Sequence, residues 1–291
     1  HAAGVLPMDA AVRGGILPGV LPKSFPYTPG TAFAGVVEAV GADVTDFQVG
    51  QAICGRAPNG TYTEYVTIST NPPKLDFNRV GYNVAAAIIP LALKPQSLTF
   101  DEAATLSGGA TTAWNALFED GDLQAGQRVL IHGVAGGVGL FAVQFAKWKG
   151  AQVIGTASAA NVEFVRSLGA ETIIDYTATP FDEVVSEVDF VLDTIGGDTL
   201  TRSMHITKRG GTLVSVVGEP DQTLAEQLGI RAIKNAFLPN SENLRKIAAL
   251  IDTGHAKPTI QQTFVLQDAS RAHELVETGH GRGRIVLHIA D

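Results

Sequence analysis

The chain has almost no cysteine and no long apolar run. Cys54 is the sole thiol among 291 residues, which excludes an internal disulfide framework and a zinc site built from several cysteines. No apolar stretch reaches the roughly 18 residues expected of a membrane-spanning helix, so we expect no membrane partner. The first residues lack the charged start and apolar core of a signal peptide. A cytoplasmic location is therefore the default expectation.

Basic residues are also scarce. The chain has 21 Lys and Arg against 29 Asp and Glu, which gives a net charge of −8. Nucleic acids and anionic membranes are bound by basic surfaces, so we expect neither as a partner. The length and a hydrophobic content of 45% suffice for two domains and a sizeable core. These features favour a small-molecule partner.

One glycine-rich stretch, residues 129–150, is predicted to form a strand, a tight turn and a helix. An apolar run is followed by four closely spaced glycines, then by a helical apolar pattern that ends at Gly150. Glycines allow close approach of a pyrophosphate, and the N-terminus of the helix faces the anion. Gly136, Gly137 and Val138 are thus candidate dinucleotide contacts. The alternative is a strand-to-helix turn without a ligand.

Two kinds of pattern divide the rest of the chain. Residues 1–70 contain short alternating stretches between Gly and Pro turns, which predicts a small β-rich domain. After residue 128, β-branched runs alternate with helical patterns such as 159–168 and 197–208, which is typical of a doubly wound α/β sheet. The predicted strands are 129–132, 152–156, 171–174, 188–192, 212–217 and 230–237.

The C-terminal part is predicted to continue with a helix and then rejoin the first domain. Ser241 and, earlier in the chain, Asp101 are predicted to cap helices. After the helix that begins near Ser241 come a strand-like stretch, a short helix and the strand RIVLHI. We expect this tail to return to the β-rich domain.

The order of several motifs resembles the medium-chain dehydrogenase/reductase superfamily, in its zinc-independent quinone oxidoreductase (zeta-crystallin-like) branch. The matching stretches are HAAGVLPMD, PGTAFAGVVEAVGADVTDFQVGQAI, GTYTEYV, TTAW, HGVAGGVG, SLGAETIIDY, DTIGG and GHGRGRIVL. The resemblance implies a Rossmann nucleotide-binding domain at 97–251 with about six strands. It also implies a split GroES-like catalytic domain, 1–96 and 252–291, with the cofactor in the cleft between them.

Two departures from that family concern chain length. Family members usually begin with a further segment before the HAAGV motif, so we expect the GroES-like domain to lack its first strands. The stretch 69–89 is interpreted as an insertion before LKPQSLTFDEAA.

Zinc ligands are not expected. Zinc-using relatives carry a catalytic Cys and a Gly-His-Glu motif, whereas the corresponding stretch here is Pro29–Ala32, with neither His nor Glu. His273, His280 and His288 do not have compact metal-ligand spacing. Without a metal to polarise an oxygen, alcohol dehydrogenation is disfavoured, and electron-poor acceptors such as quinones and activated alkenes remain.

Cofactor choice depends on the end of the second strand of the doubly wound sheet. An acidic side chain there binds the ribose 2′-hydroxyl and repels a 2′-phosphate. No acid occurs here before Glu163, which favours NADPH, with Ser158 and Asn161 offering hydrogen bonds and Tyr176 closing over the adenosine. Alternatively, Ser158 and Asn161 only cap the following helix.

Further cofactor contacts are implied by resemblance. Thr112 is expected near the nicotinamide or its phosphate, and Val217 and Gly218 under the ribose. Phe237 is expected beside the nicotinamide, although it could equally be a core residue. Arg284 occupies a place where relatives often have Lys, and the alternative there is a solvated terminal charge.

The acceptor pocket, again by resemblance, should involve Leu6, Tyr27 and Tyr62. Tyr62 is the sole tentative proton donor, and a packed tyrosine is the alternative, so no catalytic residue is assigned firmly. His132 and Cys54 are interpreted as core residues.

Together these features predict an NADPH-dependent, zinc-free oxidoreductase that transfers hydride to a quinone or an α,β-unsaturated carbonyl. Two alternatives remain open. One is an enoyl-thioester reductase, and the other is an NADPH-binding protein with little catalytic activity. The resemblance also implies a homodimer.

Overall fold

A computed structural model describes residues 1–15, 26–70, 89–236, 238 and 240–291. The chain divides into two compact units, and each is described separately. The first comprises His1–Thr111, Leu238–Gly254 and Pro258–Asp291; the second comprises Thr112–Phe237 and His255–Lys257.

The described residues form twelve strands and ten α-helices, numbered here in chain order. The strands are β1 Ala2–Val5, β2 Ala32–Val36, β3 Ala52–Arg56, β4 Leu91–Leu93, β5 Arg128–Ile131, β6 Gln152–Ala157, β7 Thr172–Asp175, β8 Val188–Asp193, β9 Thr207–Ser215, β10 Arg231–Lys234, β11 Ile260–Val265 and β12 Arg284–His288. The helices are α1 Pro7–Arg13, α2 Phe100–Ala103, α3 Thr111–Trp114, α4 Gly139–Lys149, α5 Val162–Ser167, α6 Phe181–Val184, α7 Gly197–Ile206, α8 Gln222–Leu228, α9 Ser241–Asp252 and α10 Ala269–Glu277. Wider π-helical turns, Leu106–Ala110 and Asn115–Asp120, flank α3.

The second unit contains a parallel sheet in the order β10-β9-β8-β5-β6-β7. Its first strand, β5, lies in the middle, and the chain winds outward first to one side and then to the other. This is the doubly wound dinucleotide-binding order, with its switch point between β5 and β8. Val129, Leu130 and Ile131 on β5 are fully buried, as expected of a central strand covered on both faces. The predicted α/β fold is confirmed.

Two strand boundaries differ from the sequence pattern by three or more residues. β9 begins at Thr207, earlier than the predicted 212, because Thr207 already pairs with Val188 before the register shifts. β10 ends at Lys234. The apolar pattern misses the start of β9 because the glycines at 210 and 211 interrupt it.

The first unit contains a mixed sheet in the order β11-β12-β1-β2-β3-β4. β12 is antiparallel to β1, with Ala3 opposite Leu287, and it is parallel to β11. The prediction that the C-terminal tail rejoins the β-rich domain is confirmed. Val5, Leu287 and Phe264 belong to the apolar cluster beneath this part of the sheet.

The unit boundaries differ from the predicted 97–251 nucleotide domain. Residues 97–111 and 238–251 group with the first unit, and residues 255–257 group with the second. Asp252 accepts hydrogen bonds from the backbone N–H (3.0 Å) and hydroxyl (2.8 Å) of Ser97, and Ser241 Oγ accepts one from Leu91 N–H at 3.0 Å. These bonds tie both ends of α9 to segments next to β4.

Both predicted helix caps are wrong by one or two residues. Asn240 caps α9, since its side chain accepts a bond from Asn243 N–H. α2 is capped by Thr99, whose side chain and that of Glu102 each accept a bond from the other's backbone N–H. The earlier residue caps because it has the extended backbone that a cap requires.

Some expectations fall outside the described residues. They include Phe237 and most of the 69–89 stretch, of which 71–88 are not described. Within the described ranges, no helix has both the length and the apolar character needed to cross a bilayer.

Candidate functional site

The glycine turn connects β5 to α4 at the carboxyl end of the central strand. A side chain at Gly139 would collide with the Gly133 carbonyl oxygen and would lie 2.6 Å from Val134 Cα. Gly133 itself has a φ of 64°. Helix α4 follows with 11 residues. The N–H groups of Leu140 and Phe141 bond to the carbonyls of Gly136 and Val138, and the positive end of the helix dipole faces the turn. The turn therefore places partial positive charge where an anion can approach closely.

His132 fixes the start of this turn through a buried relay. Its Nε2 lies 2.9 Å from Ser203 Oγ, and that hydroxyl donates to the Thr199 carbonyl at 2.6 Å. The single proton of the Ser203 hydroxyl is therefore donated to Thr199, so His132 carries a hydrogen on Nε2 and donates it to Ser203 Oγ. The Nδ1 atom accepts from Thr156 Oγ1 at 3.1 Å, and Thr156 Oγ1 in turn accepts from Gly133 N–H at 3.3 Å. Burial lowers the pKa of His132 to about 4, so the ring is neutral. The predicted core histidine is confirmed.

A second buried network joins the ends of β8 and β9. Asp193 accepts bonds from the N–H groups of Ile195 and Gly196 and from the hydroxyl of Ser215, at 3.0, 2.9 and 2.7 Å. Ser215 Oγ also accepts from Gly218 N–H at 2.9 Å. This network sets the loop that carries two predicted ribose contacts. Sequence reasoning missed Asp193 and Ser215, although the DTIGG motif marks the position.

The loops after β6 and β7 carry the predicted adenosine-side residues. Asn161 Nδ2 donates to Ser158 Oγ at 3.3 Å, so these two side chains interact with each other. Neither side chain forms a capping hydrogen bond with the helical segment that follows it. Tyr176 is 55% exposed directly after β7. Asp175 accepts bonds from Thr177 N–H and Oγ1 at 3.0 and 2.7 Å, and together with a bond from the Ala159 backbone these lower its pKa.

The carboxyl ends of parallel strands meet at one edge of a sheet, so these loops share that edge. It brings together eight of the predicted cofactor residues: Gly136, Gly137, Val138, Ser158, Asn161, Tyr176, Val217 and Gly218. Val217 is 52% exposed there. The turn lies at the switch point of the sheet, and its position 139 accommodates only glycine. Both features fit a dinucleotide. Thr112 lies at the start of the second unit on α3, away from these strand ends in sequence.

The other predicted site residues belong to the first unit. Leu6 precedes α1, and Asp9 accepts its backbone N–H at 2.9 Å. Tyr27 and Asp9 line a shallow concave surface, open to solvent, together with Arg56 and Thr31. The solvated alternative for Arg284 is wrong, because its side chain is buried at the start of β12 with 5% exposure.

Tyr62 is packed inside the first unit. It belongs to the apolar cluster with Val5 and Phe264 and is 9% exposed. Its hydroxyl donates to Asp9 Oδ2 at 3.4 Å and lies 3.0 Å from His273 Nε2. Burial and the neighbouring Asp9 raise the pKa of Tyr62. The hydroxyl is thus engaged with two protein groups.

Several polar atoms around Asp9 have no partner among the described residues. They are Nε and Nη2 of Arg284, Nε of Arg56 and Nδ1 of His273. Burial raises the pKa of Asp9 to about 7, against the opposing effects of the Leu6 N–H and the two guanidinium groups. Burial lowers the pKa of Arg284 to about 10.

Two further residues bear on metal and thiol chemistry. Cys54 is fully buried on β3, and burial raises its pKa to about 12, which confirms the packing interpretation. Across the described ranges, no group of three or more His, Cys, Asp and Glu side chains is placed to hold a metal ion.

Comparison with known proteins agrees with both units. Residues 168–287 match the zinc-binding dehydrogenase family, and residues 1–72 match the alcohol dehydrogenase GroES-like domain. The mouse NAD(P)H oxidoreductase RTN4IP1, a mitochondrial protein, is 33% identical over 99% of this chain and 80% of its own length. The chain belongs to the medium-chain dehydrogenase/reductase superfamily, in its quinone oxidoreductase branch.

Solved structures of this superfamily share the whole fold. The quinone oxidoreductase from Coxiella burnetii has a TM-score of 0.86 and 34% identity, covering 100% of this chain and 89% of its own. The Escherichia coli quinone oxidoreductase complexed with NADPH has a TM-score of 0.81 and 27% identity, covering 98% and 89%. The resemblance seen in the motifs is thereby confirmed. The protein is a member of an oxidoreductase family that uses a nicotinamide cofactor.

Proposed function

We propose that this medium-chain reductase uses NADPH and transfers hydride, without zinc, to a quinone or an α,β-unsaturated carbonyl. The observation that carries the proposal is the glycine turn between β5 and α4, where a Cβ at Gly139 would meet backbone atoms. A turn of this kind at the switch point is built for a pyrophosphate. The E. coli relative that binds NADPH supports the choice of cofactor class.

The preference for NADPH rests on the loop after β6. The first acid beyond that strand, Glu163, forms an exposed ion pair with Arg166. The carboxylate of Asp175, at the end of the neighbouring strand, is occupied by Thr177 and the Ala159 backbone. Neither acid lies in the segment that directly follows β6, where an acid would bind a ribose 2′-hydroxyl, whereas Ser158 lies there and can donate to a phosphate.

In this proposal, each loop at the carboxyl edge of the parallel sheet has a separate role. The turn at Gly136–Val138 binds the pyrophosphate, the Asp193–Ser215 network holds the backbone at Val217 and Gly218 beneath the ribose, and Tyr176 covers the adenosine. When bound, the nicotinamide supplies the hydride. The chain supplies orientation and exclusion of water, so proximity provides most of the rate enhancement.

Zinc is not part of the proposal, because the donor set is poor. The sole thiol, Cys54, is buried on a strand and has a raised pKa, which opposes metal binding. We expect purified protein to retain full turnover after treatment with a chelator. Loss of turnover that added Zn²⁺ restores would contradict this part.

The test of the reaction is NADPH oxidation with a quinone, an enone and an enoyl-thioester in parallel. We expect turnover with the first two acceptors and little with the third. Preference for the thioester would favour an enoyl-thioester reductase. Tight NADPH binding without turnover on any of the three would show a cofactor-binding protein.

A paired substitution tests the cofactor preference. Ser158→Asp places an acid after β6, and we expect it to shift the NADPH-to-NADH ratio of kcat/KM toward NADH by about tenfold or more. Ser158→Ala is the matched control and should lower NADPH efficiency without gaining NADH. Equal efficiency with both cofactors in the unaltered protein would refute the preference.

We also propose a homodimer and a cytoplasmic location. Light scattering of the purified chain tests the first, and a monomeric mass at working concentration would refute it. Fractionation of the source cells tests the second, since the mouse relative is a mitochondrial protein.

A further inference from the structure

A chain of close polar contacts connects three buried side chains of the first unit. Asp9 lies on α1, Tyr62 follows β3, and His273 lies on α10. The Tyr62 hydroxyl is 3.4 Å from Asp9 Oδ2 and 3.0 Å from His273 Nε2, and all three residues are at most 9% exposed. A hydroxyl has a single proton, so Tyr62 donates to one neighbour and accepts from the other.

The chain consequently has two complete arrangements. With Asp9 ionised, Tyr62 donates to Asp9, His273 donates from Nε2 to Tyr62, and Nδ1 has no hydrogen. With Asp9 protonated on Oδ2, Asp9 donates to Tyr62, Tyr62 donates to Nε2, and the ring carries its hydrogen on Nδ1. The two arrangements differ by one proton and by the tautomer of one histidine.

We propose that Asp9, Tyr62 and His273 form a proton wire that ends at Asp9 and delivers protons to the acceptor side of the first unit. His273 Nδ1 is buried, so a proton from solvent reaches it only when the first unit opens locally. The Nε2 proton then moves to Tyr62 O, and the former Tyr62 proton moves to Asp9 Oδ2. One proton enters and one arrives, and the ring and the phenol end neutral. No electron is transferred and no heavy-atom bond changes.

The delivery end of the wire lies beside a shallow concave surface of the first unit. Asp9 lines the concave surface with Tyr27, Thr31 and Arg56. This step rests on the proposed function, because reduction of a quinone or an enone by hydride also consumes a proton. Tyr62 then acts in the middle of the wire as a positioning residue, which differs from its predicted role as the final donor.

The electrostatics of the Asp9 end suit a group that gains and loses protons near neutral pH. Burial raises its pKa to about 7, while Arg284 on β12, Arg56 on β3 and the Tyr62 hydroxyl each lower it. Both protonation states are therefore populated under physiological conditions. The Leu6 N–H bond is kept in both states, since the carboxyl oxygen retains a lone pair.

The electrostatics of the His273 end suit transient passage of a proton. Burial and Arg13 lower the pKa of His273, and Glu277 raises it. Arg13 and Glu277 form an exposed ion pair at 2.8 Å that links α1 to α10. Within the described part of the chain, Nδ1 has no hydrogen-bond partner, so no protein group holds it in one tautomer.

The first experiment measures the tautomer of His273 by NMR of the full chain with ¹⁵N-labelled histidine, from about pH 5 to about pH 9. The His273 signal is assigned by comparison with His273→Gln. We expect the Nδ1–H form at low pH, the Nε2–H form at high pH and a midpoint near that of Asp9. A single tautomer over the whole range would overturn the proposal.

Three variants sharpen the result. Asp9→Asn removes the titrating group, and Tyr62→Phe interrupts the wire while Asp9 keeps its bond to Leu6. Both substitutions should abolish the pH-dependent change of the His273 tautomer. Tyr62→Phe therefore still tests the proposal if Asp9→Asn does not fold. Asp101→Asn is the matched control, because Asp101 bonds a different histidine, His288, at 3.0 Å. A switch that persists in Tyr62→Phe would also overturn the wire.

The second experiment uses turnover with an enone. We expect Tyr62→Phe to lower kcat by about tenfold or more, with KM little changed, and to remove the solvent isotope effect on kcat. An unchanged isotope effect would refute delivery to the acceptor. If the His273 tautomer changes with pH but the protein reduces none of the acceptors, the proton wire is supported and the proposed function is refuted.

Discussion

The two units each bury a polar cluster, and the clusters differ in how completely their atoms are paired. In the second unit, His132 and Asp193 bond to hydroxyls and backbone N–H groups that are themselves bonded. In the first unit, Arg284 and His273 have buried nitrogen atoms without partners among the described residues. A fully hydrogen-bonded network holds the backbone in place, whereas an unpaired buried polar group is costly and calls for an explanation. This difference between the two clusters agrees with the separate roles proposed above, ligand binding in the second unit and proton transfer in the first.

The largest expected effect is a loss of stability in the second unit, at the glycine turn between β5 and α4. Gly139→Ala should lower the unfolding free energy of the second unit by about 4 kcal/mol or more, since its Cβ would meet backbone atoms that cannot move away. NADPH affinity should fall with it. Hydrogen exchange of amides in the second unit, compared with the first, measures the loss.

Gly136→Ala is the control within the same turn. Its Cβ would lie 3.3 Å from the Gly133 carbonyl oxygen, a tight contact that a small shift relieves. We expect little loss of stability but weaker NADPH binding. Equal stability losses at the two positions would contradict the assignment of the backbone collision to Gly139.

The next effect is the pH dependence of the unfolding free energy, which is expected to have opposite signs for the two clusters. The unfolded chain releases the Asp9 proton near its ordinary pKa of 3.8, while the folded first unit keeps it to about 7. Between these values the folded state binds more protons, so stability is lost as pH rises, by about 4 kcal/mol in total. Chemical unfolding across this range should show the slope, and Asp9→Asn should flatten it. A variant that retains the slope would rule out Asp9 as its source.

His132 should give the opposite slope in the second unit. The unfolded chain takes up a proton at a pKa of 6.5, whereas the folded ring does so only at about 4. The unfolded state therefore binds more protons in this window, and stability is lost as pH falls, by about 3 kcal/mol. Second-unit amides should exchange faster on acidification through this range. Exchange that is independent of pH after correction for the intrinsic rate would contradict the buried neutral ring.

The smallest effect concerns a single hydroxyl. Ser203→Ala leaves His132 Nε2–H without a partner, and we expect a loss of about 1–2 kcal/mol. Ser167→Ala is the matched control, because its hydroxyl also bonds a carbonyl of its own helix but lies at the surface. The control should change stability by less than about 0.5 kcal/mol. Thermal unfolding of both variants measures the difference.

The sequence by itself determined the parallel sheet, its six strands and the glycine turn. Apolar runs of β-branched residues separated by helical patterns depend on local periodicity, which is legible in one dimension. The turn is equally local, since Gly133 to Gly139 lie within a single strand-to-helix connection. The motifs added the family, and with it the return of β12 to β1.

Only the tertiary structure decided which polar groups meet. Asp9, Tyr62 and His273 are separated by 53 and 211 residues in sequence, and no local pattern links them. The sequence left a solvated terminal charge open as the alternative for Arg284, yet its place on β12, opposite Ile260 of β11, buries it. Likewise, Asp193 and Ser215 meet because β8 and β9 are adjacent in the sheet. Such groups are paired by strand register and helix packing, which depend on the whole chain.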